Sequence, residues 1–167
     1  MKSRLLYCIL IGAIAVCALS FTAGSQAQNR RGQVCGDPTV NCPGGGENFS
    51  AHDLQFRIPR NAVIWESEMF YAIILRSVRA RDNCETHVSE NERLEAQGLF
   101  PRHKVFADRC AEPGNLFYTN TNSDYRFMAV YAGTTRAEAG RMLTRVKATG
   151  KYPSANLRRM SAGFNGT

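Results

Sequence analysis

Glu66 and Glu68 stand two residues apart in "WESEM", the spacing that puts two side chains on one face of a strand. A carboxylate pair is the equipment of a glycoside hydrolase. That chemistry needs the two groups across a cleft at a set separation, which neighbours on one strand face do not supply. His52, His87 and His103 each fall in a polar stretch with no nucleophile motif beside them. Cys35, Cys42, Cys84 and Cys110 form no Cys-x-x-Cys pair, so their spacing does not describe a zinc site. Four cysteines in an exported chain read instead as two disulfides, with three pairings open. The expected set is Cys35–Cys42, closing "CGDPTVNC", and Cys84–Cys110. Oxidised cysteines offer no thiolate. The reactive side chains therefore point away from catalysis, and no enzyme activity, metal or cofactor is expected.

Export is read from the first residues. Lys2 and Arg4 precede an apolar run, Leu5 to Phe21, and Ser25 and Ala27 sit at −3 and −1 of a cleavage site. This is the layout of a secretory signal peptide over 1–27. The other reading of the run is a membrane anchor, since its length is near the minimum for a bilayer span. With cleavage near Ala27 the protein is expected to be periplasmic or secreted, with no span left. Removing 27 of the 167 residues leaves 140, one domain's worth. Loss of Lys2 and Arg4 takes the 21 basic residues to 19 against 14 acidic ones, a net +5. That charge would suit nucleic acid, and "YRFMAVYAG" has the aromatic pattern of an RNA-binding sheet. Export removes the opportunity, so no nucleic-acid partner is expected.

Residues 28–50 are rich in Gly, Pro, Asn and Arg and read as a flexible segment partly tied by a disulfide. Residues 51–69 read as an extended lead-in, with apolar Leu54, Phe56, Ile58 and Trp65 to lay against the domain edge. From Phe70 the signals sharpen. "FYAIILRSV" is a buried strand. "SENERLEAQGLFP" is a short helix with a capping box, Ser89 and Glu92, that stops at Gly98 and Pro101. "HKVFADRC" is a strand, and "LFYTN" and "YRFMAVYAG" are strands joined by a turn. "GTTRAEAGRMLTRVKATG" is a second helix, capped by Thr135 and Glu138. Its apolar stripe is Ala139, Met142, Leu143 and Val146, and Gly150 ends it. Its basic residues lie off that stripe. "SANLRRM" is a last strand, and 162–167 is a tail. The order predicts an α+β domain over 70–161: an antiparallel four-stranded sheet with two helices on one face and the other face open.

The stretch "YRFMAVYAGTTRAEAGRMLTRVKATGKYPSANLRRM", Tyr125 to Met160, resembles the second half of a SPOR domain, and "FYAIILRSV" sits where that module's first strand would be. The resemblance implies a βαββαβ, ferredoxin-like sandwich in a bacterial envelope protein. Its open sheet face would bind peptidoglycan glycan strands, without catalysis. By the family's pattern Ala72, Ile74, Met128 and Val130 point to the helices. Tyr71, Ile73, Leu75, Phe127, Ala129 and Tyr131 then face outward, joined by Phe106, Asn156 and Arg158. Aromatic faces there would stack on sugar rings, and Arg158 would bond hydroxyls or carboxylates. Ile73 and Leu75 replace polar residues of the family's first strand. That favours a second reading, in which the face docks a periplasmic protein or a second copy of the chain. A further reading has the lead-in, through Phe56, Ile58 and Trp65, covering the aromatics.

Overall fold

The computed structural model describes residues 31–44, 49–59, 64–80, 85–109 and 116–165. The signal segment 1–27 and the expected Cys84–Cys110 bond lie outside the described residues. Among those described, the elements are β1 (Ile64–Glu66), β2 (Phe70–Arg79), α1 (Glu90–Leu99), β3 (Val105–Ala107), β4 (Phe117–Tyr118), β5 (Tyr125–Tyr131), α2 (Arg136–Ala148), β6 (Asn156–Met160) and β7 (Ala162–Asn165). They build an α+β protein with two antiparallel sheets, ordered β3-β5-β2-β6 and β1-β7-β4.

Strand β2 dictates the layering. Phe70, Ala72, Ile73, Ile74 and Leu75 are consecutive or nearly so, and all are buried. A strand apolar on both faces has to be covered on both faces. One face packs on the helices: Ile73, Leu75, Met128 and Val130 meet Ala96 and Phe100 of the α1 side and Ala139, Met142 and Val146 of α2. The opposite face is a second core. Phe70, Ala72, Ile74, Phe106, Phe127 and Ala129 meet Val34, Leu54, Phe56, Leu116, Tyr118, Met160 and Ala162.

Both capping boxes form as read. The Ser89 and Thr135 hydroxyls accept from the Glu92 and Glu138 N–H groups, each at 3.3 Å, and the carboxylates reach back. The α2 stripe is core, with Ala139, Met142 and Val146 buried and Leu143 half-buried. Cys35 and Cys42 are bonded to each other.

Four expectations are corrected. Tyr71, Ile73 and Leu75 face the helices rather than the opposite side, because Ala72 pairs with Tyr131 and Ile74 with Ala129 across the sheet. Directly paired residues share a face, so the outward set of β5 fixes Ala72 and Ile74, not their neighbours, as its partners. "LFYTN" does not form a hairpin with "YRFMAVYAG"; β4 pairs with β7, Tyr118 opposite Ala162 and Phe117 opposite Gly163. The segment read as a tail, from residue 162, is thereby the central strand of the small sheet. Residues 31–44, read as flexible, are tied in: Val34 and Cys42 are buried.

Candidate functional site

The lead-in, through Leu54 and Phe56, shares the cover of the face opposite the helices with Val34, Leu116, Tyr118 and Ala162. Cys35 N–H donates to Gln55 O at 2.8 Å and Arg57 N–H to Gln33 O at 2.9 Å, so residues 32–35 and 55–57 run together. Lys104 N–H donates to Gly36 O at 2.8 Å and Ala107 N–H to His52 O at 2.9 Å, which seats both stretches on the β3 edge. Phe56 is fully buried and meets Phe49 edge-on. The two carboxylates considered for catalysis each contact the stretch that begins at residue 31. Glu68 accepts Val34 N–H at 3.0 Å, and Glu66 pairs with Arg31 at 3.4 Å.

Beyond this cover one end of the face stays open. A groove of about 450 Å³ runs over Ile74 and Ser77 of β2, Tyr125 and Phe127 of β5, Asn156 and Arg158 of β6, and Thr121 and Asn122 of the β4–β5 turn. The sheet positions its floor and walls. The β2–β5 register shifts between Ile74 and Arg76, leaving Leu75 as the extra residue of a bulge. Beyond a bulge the alternation restarts. Ser77 thus comes opposite Phe127 and joins Ile74 on the groove face, while Arg76 turns to the helix side and pairs with Glu92 of α1. Ile74 is opposite Asn156 and Ala72 opposite Arg158, which puts both β6 side chains over the same face.

The turn that walls the groove is held by its own bonds. Asp124 N–H donates to Asn122 Oδ1 at 2.9 Å and Tyr125 N–H to Asn122 O at 3.0 Å. Thr121 Oγ1 donates to Tyr118 O at 3.0 Å, and Asn120, at φ 57°, donates from Nδ2 to Arg159 O at 2.9 Å. The floor is apolar, with Phe127 only 4% exposed, whereas Tyr125 presents 43% of its surface. Among the described residues no carboxylate pairs with Arg158. The groove therefore offers an apolar floor, one exposed aromatic, two amides, two hydroxyls and an unpaired guanidinium. A volume of this size lies within the roughly 300–1,000 Å³ of small-ligand sites, and few polar groups over an apolar floor is their usual make-up.

Of the residues expected from sequence, Phe127, Asn156 and Arg158 line this groove. Phe106 is fully buried among Phe70, Tyr118 and Phe127. Tyr131 lies at the far end under the Cys35–Cys42 loop, and burial pushes its hydroxyl up to about 12. Tyr71 sits on the helix side beneath Arg159, whose guanidinium is 5.9 Å from the ring centre. Sequence reasoning missed Tyr125, Ser77, Ile74, Thr121 and Asn122. The signal for Tyr125 was its i, i+2 relation to Phe127; for Ser77 there was none, because a bulge has no signature in "IILRS". Among the described residues no cluster of side chains is arranged to hold a metal ion, and no helix is long and apolar enough to cross a membrane.

No family model, curated protein or solved structure matches this chain.

Proposed function

We propose that this is an exported envelope protein whose four-stranded sheet and two helices form a SPOR-like, ferredoxin-like βαββαβ unit that binds peptidoglycan glycan strands without catalysis. The strand order β3-β5-β2-β6 supports the first part. The observation that carries the second is the groove left open on the face opposite the helices. An exposed tyrosine over an apolar floor suits a sugar ring, and amides and a guanidinium suit its hydroxyl and carboxylate groups. The Cys35–Cys42 bond agrees with an oxidising compartment. The contact residues of this reading are Tyr125, Phe127, Asn156 and Arg158, in place of Tyr71, Ile73, Phe106 and Tyr131.

Co-sedimentation with purified sacculi, before and after an amidase removes the stem peptides, tests it. Binding is expected to rise on stripping, and Tyr125→Ala with Arg158→Ala to weaken it by roughly tenfold or more, as loss of a central aromatic and an arginine does at other binding sites. No binding to either preparation would sink the reading. The second reading, docking of a periplasmic protein or a second copy, draws on Phe117, 40% exposed on the outer side of the small sheet. A mass that rises with concentration in light scattering would favour it.

A further inference from the structure

On the side of the molecule where α2 meets the 101–104 turn, His103 and Arg145 are held face to face. Arg145 Nη1 lies 3.3 Å from His103 Nε2, and His103 Nδ1 lies 3.2 Å from Tyr131 O. The carbonyl can only accept, so Nδ1 carries the proton and Nε2 accepts from the guanidinium. Two clefts adjoin this pair. One, of about 230 Å³, adds Arg141 and the Gly133–Thr134 backbone; the other, of about 500 Å³, adds Arg102. Arg141 and Arg145 are four residues apart on α2, hence neighbours on one helix face.

Glu138 lines the smaller cleft and Asp37 the larger, and each carboxylate is already engaged by hydrogen bonds of its own. The Glu138 carboxylate accepts the Thr135 hydroxyl at 2.7 Å and the Thr135 and Thr134 N–H groups at 3.0 and 3.2 Å. Those bonds, the Thr135 hydroxyl foremost, hold its carboxyl below the usual range. Asp37 accepts the Thr39 hydroxyl at 2.6 Å and the Thr39 N–H at 2.9 Å, and meets Arg102 at 3.4 Å. Among the described residues neither Arg141 nor Arg145 has a carboxylate within ion-pair distance. Arg141, Arg145 and His103 line the smaller cleft together with the Glu138 carboxylate, and Arg102 joins Arg145 and His103 in the larger one.

We infer that the notch around Arg141, Arg145 and His103 is a second binding site, separate from the sheet groove, for a compact dianionic phosphate group. A carboxylate would match the charge less well: a planar monoanion offsets one of the two guanidinium groups, whereas a tetrahedral dianion offsets both and presents oxygens to each turn of the helix. On binding, the Arg145 guanidinium turns from His103 Nε2 to a phosphate oxygen. The source is either inorganic phosphate or the terminal phosphate of a larger molecule.

The test is a titration of the ¹⁵N-labelled mature chain with inorganic phosphate, with glucose 6-phosphate and with acetate, all at constant ionic strength. Both phosphates are expected to shift the amide signals around His103 and 133–145 to saturation, with a dissociation constant on the order of 1 mM. Acetate is expected to give no saturation. Tighter binding of glucose 6-phosphate than of phosphate would assign the site to a phosphomonoester; equal binding would assign it to the free ion. Arg141→Gln and Arg145→Gln are expected to weaken binding by roughly tenfold each. Lys147→Gln removes the same charge from the same helix outside the notch and is expected to leave it unchanged. Equal losses in all three variants, or shifts that never saturate, would mean a diffuse positive field and overturn the site. The sacculus assay reads the other face of the sheet, so either site can fail without the other.

Discussion

Asp108 follows β3, its backbone N–H donating to Phe127 O at 2.8 Å and its side chain close to covered. Burial raises its carboxyl from 3.8 to about 6, against a smaller opposing pull from Arg126 at 3.9 Å. A carboxyl raised in the folded state favours folding below its unfolded value, and that contribution is lost as pH climbs toward 6. The gap corresponds to on the order of 3 kcal/mol. Asp53, also raised by burial, acts in the same direction, while His52 beside it, lowered by burial, opposes both as pH falls through the histidine range. The clean readout is therefore the difference between wild type and Asp108→Asn. Urea midpoints at pH 4, 5, 6 and 7 are expected to show the variant gaining on wild type as pH rises. Parallel curves would mean that water reaches the carboxylate.

The lead-in is the element whose role changes most between sequence and structure. Together with the 32–36 stretch that runs beside it, it closes on the sheet through backbone approach as much as through side chains. A Cβ on Gly36 would stand 2.1 Å from the Tyr131 ring, a contact no relaxation of a half-buried aromatic absorbs freely. Gly36→Ala is expected to cost about 1–3 kcal/mol, the usual penalty of overpacking, visible as a lower melting temperature. An unchanged melting temperature would show that the loop over Tyr131 is loosely seated. The helices, by contrast, were legible from end to end. Ser89 with Glu92 and Thr135 with Glu138 carry their own hydrogen-bonding instructions within four residues, so nothing distant can overrule them. Strand β4 was not legible in this way. "FY" says that a strand exists, but its partner, β7, is more than forty residues away, and no local signal selects it over the nearer β5.

At the scale of the molecule, the four-stranded sheet is shared by two cores. Phe56 closes the second of them, fully buried against Phe49. Its truncation to Ala is expected to cost about 3–5 kcal/mol. Because β2 and β5 contribute to both cores, the loss should appear as one cooperative transition at a lower denaturant midpoint. Two separate transitions would show instead that the cover unfolds independently of the helix side.

What the chain determined by itself is whatever rests on short-range chemistry: both helices and their caps, the strands at "FYAIILRSV" and "YRFMAVYAG", the Cys35–Cys42 loop, and the need for cover on both sides of a strand as apolar as β2. Phe127, Asn156 and Arg158 could be placed on a common face because β5 and β6 alternate regularly. The tertiary structure decided the rest. The face of each β2 residue depends on register with β5, and a slip of one residue exchanges the two faces. The bulge at Leu75 then hands Ser77 to the groove and Arg76 to Glu92. Which aromatics are covered depends on where the lead-in ends, a length and a path that no local pattern encodes. Tyr131 falls under the Cys35–Cys42 loop and Tyr125 escapes cover, though they are six residues apart on one strand face.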